Sequence, residues 1–325
     1  MTAQLHIISG KGGTGKTTVA AALALSLAHE GQHVLLVEVE ARGGISQLFD
    51  VPVGGKEETH VARGLGGGEV RALAVDAKAA LMEYLQIFYK LGRAGSLLEK
   101  FGAVDFATTI APGMRDVLLT GKVYEVVRRD AHHARRGFQP YDAVVLDAPP
   151  TGRIGRFLGV NRELSGLAKM GPIKKQADSI MTMLTSGRSH LHLVTHAEEM
   201  PVQETIDAAA ELRELGLTMG SIIINAEQAV LLDPDTRALL QEADFDESPL
   251  RADLTAADLR VGPTLVDGLL DAGRRRDQRL RLEERESARL EDLGMPIVRL
   301  PTIRDGIDAG GLRQLATALR EQGLQ

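Results

Sequence analysis

The run Gly-Lys-Gly-Gly-Thr-Gly-Lys-Thr-Thr at residues 10–18 is the part of this sequence best suited to chemistry. It follows a short apolar run and opens a stretch rich in Ala, Leu and Val. Glycines let successive backbone N–H groups turn towards phosphate oxygens, and a helix that starts directly afterwards points the positive end of its dipole at the same oxygens. The run therefore predicts a phosphate-binding loop for a nucleoside triphosphate.

The polar side chains of this loop have distinct predicted roles. Lys16 is expected to reach the β- and γ-phosphates, Thr17 to give its hydroxyl to Mg²⁺, and Thr18 to contact the α-phosphate. Lys11 occupies a variable position of the motif, where a solvated lysine without a role is the alternative interpretation. The predicted nucleotide contacts of the loop are Gly10, Gly12, Gly13, Thr14, Gly15, Lys16, Thr17 and Thr18.

A carboxylate followed by a turn lies at residues 143–152, where Ala-Val-Val-Leu-Asp precedes Ala-Pro-Pro-Thr-Gly. Ligands of doubly wound α/β folds gather at the carboxyl ends of strands. Asp147 is therefore predicted to lie on the magnesium side of the phosphates and, with Thr17, to bind the metal directly or through water. A strand cap is the alternative. The residues up to Gly152 are predicted to form a loop whose backbone amides sense the γ-phosphate.

Seven short runs rich in Val, Ile and Leu alternate with helical sequence and are the candidate strands that would position these groups. They lie at residues 5–9, 33–39, 70–75, 141–146, 191–195, 221–224 and 297–300. Several are continuously apolar, as are strands of a parallel sheet that is covered on both faces. The alternation predicts an α/β fold with a doubly wound, mostly parallel sheet, the core of a phosphate-loop nucleoside triphosphatase.

Two long helical stretches without strands, at about 78–136 and 155–187, are predicted to be insertions into a single domain of residues 1–325. Their apolar faces either dock on the core or form a groove for a partner, and both interpretations are open. The glycine-rich residues 54–68 are predicted to form a loop. The mixed charges of residues 274–291 are predicted to form a solvated helix face.

Composition restricts the classes of protein to consider. The formal net charge of −6 argues against a nucleic-acid partner. The absence of cysteine fits a reducing cytoplasm and excludes disulfides and thiolate metal sites. No secretion signal follows Met1, and the longest mostly apolar segment, 19–28, is too short to span a membrane. A cytoplasmic protein is expected, peripheral to a membrane only through a partner.

The phosphate loop with its second lysine resembles the deviant Walker A class of ATPases. Two segments, Ala-Pro-Gly-Met-Arg-Asp-Val-Leu-Leu at 111–119 and Asp-Ala-Pro-Pro-Thr-Gly-Arg-Ile-Gly-Arg-Phe-Leu at 147–158, resemble the ArsA-type anion-transporting ATPase family. That family includes the arsenite pump ATPase and the tail-anchored-protein targeting ATPase, and the resemblance covers nearly the whole chain. It implies that ATP and Mg²⁺ are the cofactors and that Lys11 reaches across a dimer to the partner's nucleotide, as an arginine finger does.

The same resemblance assigns further parts of the site. Glu40 stands where the deviant class has an aspartate that positions the attacking water, and a plain ion pair or the nearby Glu38 are the alternatives. Asn225 falls where the family has an adenine-contacting amide. Pro301 and Thr302 resemble its adenine-binding loop. Ordinary turn residues are the alternative interpretation of these last three.

Departures from the family pattern limit what the resemblance implies. Without cysteine, neither the metalloid site of arsenite pumps nor the zinc clasp of eukaryotic targeting ATPases can form, so no zinc is expected. Arg153 replaces a family histidine. The pattern looks closest to zinc-free bacterial members, some of which pair with a related ATPase subunit. A homodimer or such a heterodimer is expected, with a protein client or a membrane partner.

The sequence thus predicts an ATP-hydrolysing dimeric switch with Lys11, Lys16, Glu40 and Asp147 as catalytic residues. Closure of the dimer on ATP and its reopening on hydrolysis would control the binding of a client. Two competing functions remain open. One is a partitioning or division-site ATPase that acts on a membrane or DNA, and the other is a nucleotide-dependent regulator with little turnover.

Two further patterns each have two interpretations. His190, His192 and His196 alternate along one predicted strand and are either structural histidines or ligands of a metal. An apolar stripe at residues 312–319 either covers the sheet or binds a membrane surface.

Overall fold

The computed structural model describes residues 3–39, 43–55, 57–75, 80, 113–129, 139–167, 172–242, 245–304 and 306–324. These ranges contain eight strands and ten helices. The strands are β1 (Gln4–Gly10), β2 (His33–Glu38), β3 (Thr59–Arg63), β4 (Glu69–Ala74), β5 (Ala143–Asp147), β6 (Ser189–Thr195), β7 (Met219–Glu227) and β8 (Ile297–Pro301). The helices are α1 (Lys16–His29), α2 (Gly44–Phe49), α3 (Met114–Val127), α4 (Thr151–Leu167), α5 (Pro172–Leu184), α6 (Glu199–Glu214), α7 (Pro234–Leu239), α8 (Ser248–Ala256), α9 (Pro263–Glu291) and α10 (Ala309–Glu321).

The strands form one sheet in the order β3-β4-β2-β5-β1-β6-β7-β8. Every neighbouring pair is parallel except β3 and β4. The strand order changes direction around β1, which creates the switch point at which doubly wound folds bind their ligands. The predicted doubly wound, mostly parallel α/β fold is confirmed, as are all seven predicted strands.

Strand β3 corrects the prediction of a loop over residues 54–68. It pairs only with β4, in antiparallel orientation, and forms one edge of the sheet. None of its residues is fully buried, so its sequence lacks the continuous apolar run that marks the parallel strands. A partly exposed edge strand between glycine-rich turns therefore escapes recognition by hydrophobic pattern.

Each face of the sheet has its own hydrophobic core. On one face, side chains of α3 to α6 cover Leu5 and Ile7 of β1, and Phe157 of α4 is fully buried among them. On the other face, α1 packs against α10, and Leu315 and Leu319 of α10 are buried. The apolar stripe at 312–319 therefore covers the sheet, as the first of its two interpretations predicts.

The described parts of the two predicted insertions are helical. Helix α3 lies in the first, and α4 and α5 make up most of the second. Leu118 and Leu119 of α3 and Ile180 of α5 are buried in the core beneath the sheet, so these faces dock on the core. Residues 78–79, 81–112 and 130–136 of the first insertion lie outside the described residues. The insertion boundaries and the single-domain assignment stay predictions.

A third helical segment, α7 to α9, connects β7 to β8. Its sequence does not predict three helices that pack together. Its small core consists of Leu240, Val266 and Leu270. Its first two helices are short and separated by polar turns, so they have no long apolar periodicity that would predict this core. Among the described helices, none has both the length and the apolar composition required to cross a membrane.

The prediction of a solvated face for residues 274–291 is wrong at two positions. Asp277 and Glu286 of α9 are each only 2% exposed. Asp277 accepts hydrogen bonds from Arg281 across 2.8 Å and from Arg237 across 2.7 Å. The hydrogen bond from Arg281 is the largest cause that lowers the pKa of Asp277, to about 2. Burial is tolerated here because each carboxylate is paired with arginine.

Candidate nucleotide-binding site

The predicted phosphate loop connects β1 to α1 at the edge of the sheet where the parallel strands have their carboxyl ends. Two of its glycines admit no side chain. A Cβ on Gly10 would lie 2.0 Å from the carbonyl oxygen of Val194 in β6. Gly15 caps α1 in a left-handed conformation with φ of 84°, and a Cβ there would lie 2.4 Å from Nδ2 of Asn225. Contact with the backbone of β6 therefore requires glycine at residue 10, whereas the left-handed conformation and the contact with Asn225 together favour glycine at residue 15.

The carbonyl oxygen of Lys11 holds the loop together. It accepts hydrogen bonds from Thr14 Oγ1 across 2.9 Å and from Lys16 Nζ across 3.1 Å. The Lys16 ammonium thus lies over the loop, where a charged phosphate oxygen would be a stronger acceptor than this neutral carbonyl. The other predicted contacts are Gly12 and Gly13, which have open space beside them, and Thr18 in the first turn of α1.

Three side chains bring oxygen atoms together beside the loop. Thr17 Oγ1 donates to Asp147 Oδ2 across 2.7 Å. Glu38 is the register partner of Asp147 in β2 and β5, and its Oε1 accepts from the N–H of Gly44 across 3.1 Å. A Cβ built on Gly44 would lie 3.6 Å from Thr17 Oγ1 and 3.5 Å from Glu38 Oε1, so both side chains approach one point.

This oxygen cluster fits Mg²⁺. The second carboxylate oxygen of Glu38, Oε2, is buried without a hydrogen-bond partner among the described residues. Such an atom is costly unless a cation or a donor compensates its charge. Mg²⁺ is typically bound by one or two carboxylates together with phosphate oxygens and water. The described residues contain no group of three or more His, Cys, Asp or Glu suited to a metal, so phosphate oxygens or water would have to supply the remaining ligands.

The predicted water-positioning residue, Glu40, lies outside the described residues together with its two following neighbours. Its role stays a prediction. Glu38, named as its alternative, is 4% exposed and is the described carboxylate at this end of β2. The structure therefore places at least one glutamate of this strand beside the loop.

The residues after Asp147 are tied to β1 by a hydrogen bond and lead directly into a helix. Ser9 Oγ donates to the carbonyl oxygen of Pro149 across 2.7 Å. Helix α4 begins at Thr151, so Thr151 and Gly152 belong to a helix rather than to the predicted loop. Backbone N–H groups of a first helical turn lack intrahelical acceptors and can bind an anion. The backbone around Gly152 therefore suits the predicted γ-phosphate contact, which stays a prediction.

Lys11 is held in an ion pair within its own chain, rather than solvated. Its Nζ lies 2.5 Å from Glu204 Oε1 in α6, and the two side chains are 29% and 37% exposed. The other oxygen of Glu204, Oε2, accepts from Thr151 Oγ1 across 3.1 Å. No sequence motif contains Glu204. It enters the site because α6 follows β6, and β6 is the neighbour of β1 in the sheet.

The predicted adenine contacts are neighbours in space. Asn225 Nδ2 donates to the carbonyl oxygen of Thr14 across 2.9 Å, which ties β7 to the phosphate loop. Thr302 follows β8, and its Oγ1 donates to the carbonyl oxygen of Ala226 across 2.7 Å. Pro301 pairs with Glu227 at the end of β7. The structure thus brings Asn225, Pro301 and Thr302 to one corner of the site, although their contact with adenine stays a prediction.

A cavity of about 610 Å³ lies between the ends of β7 and β8 and helix α9. Pro301 and Thr302 are in its wall, as are Glu227, Leu280 and Glu284. A volume of this size accommodates a small organic group. The predicted adenine loop therefore borders open space on its α9 side.

The histidines form a buried group instead of a metal centre. His6 Nδ1 lies 3.2 Å from His192 Nε2, and His192 Nδ1 accepts from the N–H of Ser221 across 3.0 Å. Burial, followed by the charge of His190, lowers the pKa of His6 to about 4, and burial lowers the pKa of His192 well below its usual value. His196 lies beyond the end of β6. Among the described residues, these histidines belong to no group of three or more His, Cys, Asp or Glu that could hold a metal ion.

Comparison with known proteins agrees with this site. Residues 3–187 match the anion-transporting ATPase family. The chain is 46% identical over 323 residues to ATPase BagA of Mycobacterium tuberculosis, a match that covers 99% of this chain and 94% of that protein. It is 26% identical over 235 residues to the arsenical pump-driving ATPase of Acidiphilium multivorum, which covers 67% of this chain and 38% of that protein. The chain therefore belongs to the ArsA-type anion-transporting ATPase family and is an ATP-binding ATPase.

Proposed function

We propose that this ATPase is a Mg²⁺-dependent switch that works as a dimer, in which Lys11 of each protomer completes the nucleotide site of the other. The observation that carries the metal dependence is the 2.7 Å hydrogen bond between Thr17 and Asp147, beside the buried carboxylate of Glu38. It supplies oxygen ligands next to the phosphate loop. The second protomer is either another copy of this chain or a related ATPase subunit.

The reaction is phosphoryl transfer from ATP to water. The N–H groups of the loop and Lys16 bind the phosphates, while Thr17, Asp147 and Glu38 would hold Mg²⁺. When bound, the ion neutralises charge on the β- and γ-phosphate oxygens. A glutamate at the end of β2 accepts a hydrogen bond from the attacking water and orients it. The water oxygen bonds to the γ-phosphorus as the bond to the bridging oxygen breaks, which yields ADP and phosphate.

Lys11 supplies the coupling between hydrolysis and dimer geometry. A positive charge that arrives from a second protomer stabilises the charge on the transferring phosphoryl group only when the two protomers are closed. Hydrolysis and phosphate release remove the anion to which Lys11 binds, so the dimer reopens. In this way the state of the nucleotide determines the arrangement of the protomers.

Helix α4 transmits the structural change between the ATP-bound and ADP-bound states to the helical segments. Its first turn follows Asp147, and along its length it packs against α3 and α5. We infer that these helices present the binding surface for a protein client or a membrane partner. The absence of cysteine means that a metalloid bound through thiolates is not the cargo.

Light scattering of the protein with and without Mg²⁺ and a non-hydrolysable ATP analogue tests this function. A monomer that becomes a dimer only with analogue and Mg²⁺ together supports the switch. A monomer under both conditions, with this chain alone and with a related subunit added, would contradict it. ATP-dependent binding to liposomes or DNA would instead favour a partitioning ATPase, and negligible single-turnover hydrolysis a nucleotide-dependent regulator.

A further inference from the structure

Glu204 joins two parts of the nucleotide site that are far apart in sequence. Its Oε1 pairs with Lys11 Nζ at 2.5 Å, and its Oε2 accepts from Thr151 Oγ1 at 3.1 Å. Lys11 belongs to the phosphate loop, and Thr151 begins the helix that follows Asp147. One carboxylate therefore contacts both the lysine and the segment predicted to sense the γ-phosphate.

Packing of α6 fixes the backbone from which this carboxylate extends. Val202 and Thr205, on either side of Glu204 in the sequence, are fully buried, and Thr205 Oγ1 donates to the carbonyl oxygen of Pro201 across 2.8 Å. The helix is thus held against the sheet. Lys11 has a long flexible stem, so its ammonium can leave this carboxylate without any movement of the helix.

The ion pair competes with the proposed action of Lys11 on a second protomer. An ammonium at 2.5 Å from a carboxylate of its own chain is not free to contact a phosphate across the dimer. A partly exposed ion pair contributes little to stability, whereas contact with a multiply charged phosphate is stronger. The pair therefore favours Lys11 within its own protomer only modestly and is weak enough to yield when a partner's nucleotide arrives.

We propose that Glu204 is a positioning residue that keeps Lys11 inside its own protomer, and that movement of Thr151 on binding of the γ-phosphate loosens Glu204 and releases the lysine. This inference rests on the proposed action of Lys11 across the dimer. It adds a reason why a protomer without ATP does not close on a partner. The partner recognised by the released lysine is the nucleoside triphosphate of a second ATPase protomer.

The substitution Glu204→Gln tests the ion pair directly, because it keeps the size of the side chain and removes its charge. In protein without nucleotide, the rate at which an amine-acylating reagent modifies Lys11 is followed by peptide mass spectrometry, relative to exposed Lys175. We expect Lys11 to react about two- to fivefold faster in the variant. An unchanged rate would overturn the inference, whatever the function of the dimer.

Dimerisation supplies the second measurement. With Mg²⁺ and a non-hydrolysable ATP analogue, Glu204→Gln should lower the dimer dissociation constant about two- to fivefold, since Lys11 no longer has to leave its own carboxylate. Weaker dimerisation, or turnover lost as completely as in Lys11→Ala, would overturn the inference because Glu204 would then assist Lys11. Faster acylation with unchanged dimerisation would confirm that the lysine is held but contradict its action across the dimer.

Two further variants separate this role from a general effect on α6. Thr151→Val removes the hydroxyl donor and keeps the branched shape, so it should shift both measurements in the same direction as Glu204→Gln. Glu199→Gln removes an equal charge from an exposed position on the same helix and should shift neither. Equal effects of Glu199→Gln and Glu204→Gln would show that net charge, and not the ion pair, is responsible.

Discussion

Thr17 at the start of α1 donates a hydrogen bond to Asp147 at the end of β5 across 2.7 Å. The bond joins the phosphate loop to the strand that leads into α4, with Glu38 of β2 as the register partner of Asp147. Residues from three separate parts of the sequence thus form one oxygen-rich surface. The proposed Mg²⁺-dependent chemistry would depend on this juxtaposition, because a metal ion shared with the nucleotide would need all of these oxygens within reach.

Replacement of Asp147 by Asn should remove Mg²⁺-dependent turnover while nucleotide binding persists. The amide keeps the shape of the side chain but loses the charge that favours the cation. We expect the rate of ATP hydrolysis to fall about 100-fold or more, with retained binding of a fluorescent ATP analogue in EDTA. Asp142→Asn, at the exposed residue just before the same strand, is the matched control and should hydrolyse ATP normally. Full activity of Asp147→Asn would refute a metal site here.

The two glutamates of the β2 end should differ in their kinetic effects. If Glu40 orients the water, Glu40→Gln lowers kcat and leaves the Mg²⁺ concentration for half-maximal activity unchanged. Glu38→Gln should raise that Mg²⁺ concentration about tenfold, because Glu38 Oε2 has no hydrogen-bond partner among the described residues and its charge would favour binding of the cation. Titration of steady-state hydrolysis with Mg²⁺ separates these outcomes. The assignment of Glu38 to the metal fails if Glu38→Gln retains the normal Mg²⁺ requirement.

A methyl group at Gly15 should weaken ATP binding. Alanine there would adopt a left-handed conformation at a cost of about 1–2 kcal/mol and would contact Asn225 too closely. ATP affinity measured by calorimetry should fall about tenfold or more. The double variant Gly15→Ala/Asn225→Ala should recover only part of the loss, because it removes the clash and leaves the backbone strain. As a control, Gly187→Ala has open space around it and should bind ATP normally.

Acid should destabilise the protein through the buried histidines. Burial lowers the pKa of His6 from 6.5 to about 4 in the folded chain. Between these values the unfolded chain binds a proton that folded His6 does not, so this contribution to stability is present above pH 6.5 and is lost as the pH falls towards 4. The loss is about 3 kcal/mol for His6 alone.

Urea unfolding between pH 7 and pH 4 measures this effect. In the His6→Asn variant, the free energy of unfolding should fall less between pH 7 and pH 4 than in the unchanged protein. His60→Asn, on the exposed side of edge strand β3, is the control and should retain the full decrease. The account of the histidine group is wrong if the two variants respond to pH in the same way.

The sequence predicts an element of the fold well where all the residues that indicate it lie in one continuous segment. Several of the seven parallel strands are continuously apolar because both of their faces are covered, and the phosphate loop has its strand, glycines and helix in one continuous run. Strand β3 does not satisfy this condition, since its half-exposed residues pair only at a sheet edge. Asp277 does not satisfy it either, because its burial depends on Arg237 from another helix.

The site was predictable to the extent that its residues belong to motifs. The sequence predicts that Thr17 and Asp147 bind the same metal ion, because the ends of parallel strands converge at one edge of the sheet. Glu204 lies within an ordinary amphipathic helix, and only the position of β6 beside β1 brings it to Lys11. An ion pair between residues 11 and 204 depends on tertiary structure and has no local sequence signature.

Complementation between two inactive variants tests the central claim, that Lys11 acts on the nucleotide of a second protomer. Lys11→Ala keeps its own ATP site but supplies no lysine, whereas Asp147→Asn binds nucleotide and still supplies Lys11. Each variant alone should have almost no turnover. In an equal mixture half of the dimers are mixed and each has one complete site, so about a quarter of normal activity should return. A mixture that remains as inactive as its components, while mixed dimers are seen by light scattering, would contradict the account.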